Sequence, residues 1–177
     1  GMKYEILISG RGGQGILLAG YILGLAAAKY MGFNVVNSDF YGAETRGGEA
    51  TSEVIISTDE EIDILRVEKA DIGMFLHQSG LDRNMDRLKA DSLLIIDEDL
   101  VKNIRGDKWR VIKLPISRRV EEVLGTRLPA NVAMLGIFSK ITGIVTIDAL
   151  EKAVREAVKH KYIDLNVRAL HLGYNMV

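Results

Sequence analysis

A strand–helix–strand opening, followed by further alternation, predicts an α/β chain built as a three-layer α/β/α sandwich around a mixed sheet. Three observations carry that prediction. Apolar runs of strand length recur through the first two-thirds of the chain, separated by helical or polar stretches. Two glycine-rich loops, Gly10-Arg11-Gly12-Gly13-Gln14-Gly15 and Tyr41-Gly42-Ala43-Glu44-Thr45-Arg46-Gly47-Gly48, follow the first two of these runs. Ala50 to Ser57 (ATSEVIIS) comes directly after the second loop, with too little chain between for a crossover helix. An antiparallel pair is therefore expected there, which makes the sheet mixed.

Each element has its own local reason. Lys3 to Ser9 (KYEILIS) is the first strand, and Gly15 to Met31 the helix after it. Gly32 is suited to ending that helix, and Phe33 to Phe40 (FNVVNSDF) forms the second strand. ATSEVIIS is the third strand, closed by the turn at Asp59-Glu60-Glu61. Ile72 to His77 (IGMFLH) is a compact buried strand, followed by a polar helix over Leu81 to Lys89. Ser92 to Ile96 (SLLII) and Trp109 to Leu114 (WRVIKL) complete the strands, the last stopped by Pro115. From Ser117 onward the period is helical, over Arg118–Leu124, Asn131–Thr142, Ile147–His160 and Ile163–Tyr174.

Composition narrows the function. The 177 residues suit one domain, over residues 2 to 177, with Gly1 ahead of Met2 set aside. Lys and Arg (23) nearly balance Asp and Glu (24), which gives no electrostatic footprint for nucleic acid or an anionic membrane. Neither is expected as a partner. The chain has no cysteine, so it can form no disulfide, offers no thiol nucleophile, and cannot hold a cysteine-ligated zinc or iron–sulfur cluster. That absence fits an intracellular protein, and a cytoplasmic location is expected. The uncharged stretch Gly12 to Ala28 is short for a membrane span. It is expected to be a core helix, with burial partly by another subunit as the alternative.

The first loop matches G-x-G-x-x-G at Gly10, Gly12 and Gly15, with Asp39 ending the next strand. That is the dinucleotide fingerprint, but the antiparallel strand after the second loop replaces the crossover that a dinucleotide fold needs. No Gly-Lys-Ser/Thr follows, which excludes a Walker A loop. The electrostatics of the loop remain: free N–H groups at a helix start favour a phosphate or a carboxylate. Gln14 can donate and accept at once. In the second loop, Arg46 offers a bidentate fork between Glu44 and two glycines, either for a partner or for a local Glu44–Arg46 pair.

Together GRGGQG, YGAETRGG, PANVAMLGIFSKITG (129 to 143) and the terminal NVRALHLGY (166 to 174) resemble the gamma subunit of 2-oxoacid:ferredoxin oxidoreductases, in order and over nearly the whole chain. The resemblance implies a subunit of an enzyme that decarboxylates a 2-oxoacid with coenzyme A, forms acyl-CoA and passes electrons to ferredoxin. Thiamine diphosphate with Mg²⁺ and the iron–sulfur clusters would be held by the alpha, beta and delta partners, leaving this chain to complete the active-site region without catalytic residues of its own. Gly12, Gly13, Gln14, Gly15 and Arg46 become candidates for phosphate or partner contacts. Tyr41 and Glu44 would shape the second loop, Gly47 and Gly48 would let it lie close to a neighbour, and Asn131 is a further candidate contact. Where the family often carries proline this chain has Ala43, which frees a φ angle. SEVIIS followed by EEID looks closer to the 2-oxoglutarate branch than to the pyruvate branch. Pyruvate, 2-oxoisovalerate and indolepyruvate branches, a stand-alone dinucleotide-binding regulator and a pure scaffold are the alternatives.

Other polar residues are read as structural. His77 is expected as a hydrogen-bonded loop histidine, and His160 and His171 as surface residues. Asp97-Glu98-Asp99 is expected as a solvated turn or a helix N-terminus, since consecutive acids cannot all face one cation from a strand.

Overall fold

The computed structural model describes residues 1–42 and 48–177. Its six strands are β1 (Lys3–Arg11), β2 (Asn34–Tyr41), β3 (Glu49–Ser57), β4 (Ala70–Phe75), β5 (Leu88–Asp97) and β6 (Arg110–Leu114). They form one mixed sheet in the order β2-β3-β1-β4-β5-β6. β1, β4, β5 and β6 are parallel, while β3 runs antiparallel to both β1 and β2. The expected antiparallel pair is β2 and β3, in unbroken register from Asn34 opposite Ser57 to Tyr41 opposite Ala50.

Six α-helices occur among the described residues: α1 (Ile16–Leu25), α2 (Gln78–Asn84), α3 (Ile116–Leu124), α4 (Ala130–Thr142), α5 (Ile147–Ala157) and α6 (Ile163–Tyr174). Alternation along the strands divides the core. Ile6, Ile8, Val54, Ile56, Met74 and Ile95 point to one face, under α1, α3, α4, α5 and α6. Leu7, Ile55, Phe75, Leu94 and Ile96 point to the other. Strands buried on both sides read as continuous apolar runs, which is why ILI and LLII carry so clear a signal. The layers are unequal. The second face is covered by α2 through Leu81 and by residues of the intervening segments such as Val67 and Val101, rather than by a full helical layer.

Several boundaries differ from the sequence pattern for physical reasons. The first helix continues beyond α1 as a π-helical turn over Ala26–Tyr30 and stops where Gly32 takes φ +74°. The polar helix begins earlier than its composition suggests, at Gln78, because His77 caps it: Nδ1 accepts from the Ser79 N–H at 3.1 Å. It gives way to a 3-10 turn at Met85–Arg87, so Leu88 and Lys89 belong to β5. α5 ends at Ala157, three residues before His160, which starts a separate 3-10 turn. α4 and α6 pack backbone to backbone, since a Cβ on Gly173 would run into the Ala133 carbonyl and one on Gly136 into that of Leu170. No described helix is long and apolar enough to cross a membrane.

The second face also carries a buried ionic network. Glu53, in the middle of β3, is 1% exposed. Its carboxylate accepts from Arg66 Nε and Nη2 at 3.0 and 2.9 Å, from the Val67 N–H at 2.8 Å and from Arg87 Nη2 at 2.5 Å. Burial pushes its pKa up, but the Arg66 and Val67 hydrogen bonds and Arg87 outweigh burial and hold it below the usual carboxylate range. Arg66 also lies 3.7 Å over the Phe40 ring of β2, tying the segment after β3 across the sheet edge.

Candidate functional site

The first glycine loop sits at the carboxyl end of β1, a central strand of the sheet. The strand runs through Arg11, and the Gly12 N–H then donates to the Gly48 carbonyl at 2.8 Å. Gly48 leads into β3, and the Gly42 N–H donates to the Glu49 carbonyl at 2.7 Å, closing the base of the second loop. The two loops therefore arise side by side, an adjacency set by the antiparallel pairing of β1 and β3. Tyr41, at the end of β2, is 72% exposed. Glu44, Arg46 and Gly47 lie outside the described residues.

Within the first loop the side chain of Gln14 acts as a strut. Its Oε1 accepts from the Arg11 N–H at 2.7 Å, and its Nε2 donates to the Leu76 carbonyl at 3.0 Å, bracing β1 against the end of β4. Gly15 is the N-cap of α1, with φ +69° and ψ +33°. This left-handed conformation suits glycine, and a Cβ there would strike Asn131 Nδ2. No side chain caps α1 and no acidic residue occupies its first turn, so its N–H groups and positive dipole end are left for something else.

Asn131 comes from the first turn of α4 and reaches the same point. It is 2% exposed, and its Nδ2 donates to the Gly15 carbonyl at 2.9 Å. Its Oδ1 is buried with no hydrogen-bond partner among the described residues. Two cavities flank the loop. One, of about 460 Å³, has Gly13, Gly15, Asn131, Lys159, Tyr162 and Asn166 in its walls. The other, of about 250 Å³, lies toward the carboxyl ends of β4 and β5, where Gln14, Leu76, Ser117 and Arg127 line it. This is where open α/β sheets place ligands.

The sequence missed two features here. Asp97 is wholly buried, not part of a solvated turn. Its Oδ2 accepts from the Ser117 N–H at 2.8 Å and its Oδ1 from the Asp99 N–H at 3.0 Å, so it anchors the start of α3 beside the smaller cavity. Only its place at a strand end hinted at this. Lys159, Tyr162 and Asn166 were also invisible as site residues, because they reach Gly15 through the packing of α5 and α6 against α1 and α4. His77 is the expected bonded histidine; burial and the nearby Arg11 charge lower its pKa, which keeps Nδ1 free to accept. His171 pairs with Glu151 at 2.6 Å on the surface. No group of three metal-ligating side chains occurs among the described residues.

A model of the pyruvate ferredoxin/flavodoxin oxidoreductase family matches residues 5–176. The chain belongs to that family. The 2-oxoglutarate synthase subunit KorC of Methanocaldococcus jannaschii is 40% identical over 177 residues, covering 99% of this chain and 94% of that one. The crystal structure of a keto/oxoacid ferredoxin oxidoreductase gamma subunit from Geobacter sulfurreducens superposes with a TM-score of 0.86 at 35% identity, over 97% of this chain and 96% of that one. The fold also recurs, at 19% identity and a TM-score of 0.87, within the 2-oxoglutarate:ferredoxin oxidoreductase of Magnetococcus marinus, solved with 2-oxoglutarate, coenzyme A and succinyl-CoA bound. There 99% of this chain covers 31% of the longer one. The family fold thus accounts for the mixed six-stranded sheet, and the chain is a gamma-type subunit of an oxidoreductase.

Proposed function

We propose that the chain is the gamma subunit of a cytoplasmic 2-oxoglutarate:ferredoxin oxidoreductase, which converts 2-oxoglutarate, coenzyme A and oxidised ferredoxin to succinyl-CoA, CO₂ and reduced ferredoxin. The observation that carries this reading is the near-full-length match to a 2-oxoglutarate synthase subunit, combined with a glycine loop built at the carboxyl end of the central strand. Thiamine diphosphate and Mg²⁺ supply the carbanion chemistry from the alpha and beta partners. The iron–sulfur clusters cannot reside here, because the chain has no thiolate to ligate them. They belong to the beta and delta partners.

What this chain contributes is a surface. Its uncapped α1 N-terminus and the backbone of Gly12, Gly13 and Gly15 fit the phosphates of coenzyme A. Tyr41 and Gly48, at the base of the second loop, are assigned to partner-subunit contact, and Glu44, Arg46 and Gly47 are candidate contact residues from the sequence motif alone. Leu17, Leu25 and the 52%-exposed Tyr21 leave an apolar side of α1 for a neighbouring subunit. Affinity purification of the tagged chain from its native cells tests the reading. Recovery of cysteine-rich and thiamine-binding partners is expected, and recovery of the chain alone would remove the basis for it.

A further inference from the structure

The second face of the sheet holds a row of polar side chains where apolar ones would be expected. Thr51 of β3 stands directly opposite Ser9 of β1, and both are buried. Glu49, Thr51 and Glu53 follow one another along that face of β3, which Leu7, Phe75 and Leu94 otherwise make apolar. Asn84, the last residue of α2, reaches Thr51 and is buried as well. Apolar side chains of similar size would pack there without the desolvation cost, so the fold by itself does not call for this row.

Hydrogen bonds run through it in one direction. A guanidinium only donates, so Arg87 Nη1, at 3.1 Å, turns the Asn84 Oδ1 toward itself. The Asn84 Nδ2 is thereby aimed at the Gly80 carbonyl, at 2.8 Å, and at Thr51 Oγ1, at 3.2 Å. Thr51 gives its one hydrogen to the Glu49 carboxylate, and Ser9 Oγ, 2.7 Å away, donates to Thr51 in turn. Arg87 is anchored at its other end on Glu53. The chain therefore leads without a break from the Glu53 ion network to Glu49. There the second loop returns to the sheet: the Glu49 carbonyl accepts from the Gly42 N–H, and the Gly48 carbonyl accepts from the Gly12 N–H.

We infer that Thr51 and Asn84 are positioning residues for the base of the second loop: acting through Glu49, they hold in place a surface that meets the partner subunits. A fully satisfied buried chain is rigid, and this one pins the Glu49 side chain as the pairing with Arg11 pins its backbone. Removing the Thr51 hydroxyl frees the carboxylate and takes one acceptor from Asn84 Nδ2. The inference rests on the proposed reading that this chain is an oxidoreductase subunit whose second-loop base contacts its partners.

The test is titration of the chain into the complex purified without it, followed by coenzyme A-dependent reduction of ferredoxin with 2-oxoglutarate. The half-saturating concentration of each variant is the readout. Thr51→Val should raise it about fivefold or more, the equivalent of one lost hydrogen bond. Thr51→Ser keeps the hydroxyl and should stay within about twofold of the wild type. Ile56→Val thins the core near the other end of β3 and should also stay within about twofold, which separates positioning from a general loss of stability. Glu49→Ala leaves the core intact and should reproduce the Thr51→Val loss, and the double variant should be no worse than Glu49→Ala alone. Saturation of Thr51→Val at the wild-type concentration, no rescue by Thr51→Ser, or additive losses in the double variant would overturn the positioning role alone. Failure of the wild-type chain to restore any activity would overturn the proposed function together with it.

Discussion

Asn131 and Gly15, separated by 116 residues in sequence, meet through a 2.9 Å hydrogen bond from the asparagine Nδ2 to the glycine carbonyl. The same carbonyl accepts the first helical bond of α1, from the Ala19 N–H at 3.0 Å. One atom thus joins the glycine loop, the start of α1 and the start of α4. Gly15→Ala should cost about 2–3 kcal/mol, combining roughly 1–2 for the left-handed backbone with the overlap onto Asn131. Asn131→Ala should cost about 1 kcal/mol, the net value of one hydrogen bond. Chemical denaturation of the two variants measures both, and an unchanged midpoint for Gly15→Ala would contradict the geometry.

The Glu53 network is a second test. Glu53→Gln leaves Arg87 and Arg66 facing a neutral amide in a buried position, which should destabilise the fold by roughly 3 kcal/mol. Arg66 is half exposed and screened by water, so Arg66→Ala should cost about 1 kcal/mol or less through the pair itself. Urea unfolding of the two variants should rank them in that order.

Acid should weaken the protein in two stages. His77 has a lowered folded pKa, so its contribution is complete above the unfolded value of about 6.5 and declines as pH falls below it, because the unfolded state takes the proton first. Glu53 also has a lowered folded pKa; its contribution is complete above about 4.5 and is lost as pH falls through the folded value. Stability measured against pH should therefore fall gently below pH 6.5 and steeply below pH 4.5. His77→Gln should remove the first decline only.

The α4–α6 seam depends on glycine. Gly173→Ala places a methyl group on the Ala133 carbonyl and should cost about 1–3 kcal/mol, with the helices forced apart. Thermal unfolding reads the loss, and Gly13→Ala gives the contrast, since a Cβ there meets nothing within 4 Å and only the positive φ is penalised.

Much of the fold was legible because its signals are local. Apolar runs buried on both faces, Gly32 at a positive φ, and a loop too short for a crossover each act within a few residues. The glycine loop and Asn131 were also readable, as matched motifs. What was hidden is what arises from packing between distant segments. Gln14 looks free in sequence but is spent on Arg11 and Leu76. Asp97 looks solvated among other acids but is sealed in by α3. Lys159 sits in a charged stretch like any surface lysine, and only the docking of α5 and α6 brings it opposite Gly15. The thin second layer escaped for the same reason, because irregular segments cover that face without any periodicity to announce them.

The most direct measurement of the central claim is coenzyme A-dependent reduction of ferredoxin by the purified complex, assayed with 2-oxoglutarate, pyruvate, 2-oxoisovalerate and indolepyruvate, with and without this chain. The account predicts activity highest on 2-oxoglutarate, lost when the chain is omitted and restored when it is added back. Full activity without the chain, or preference for another of the four substrates, would contradict it.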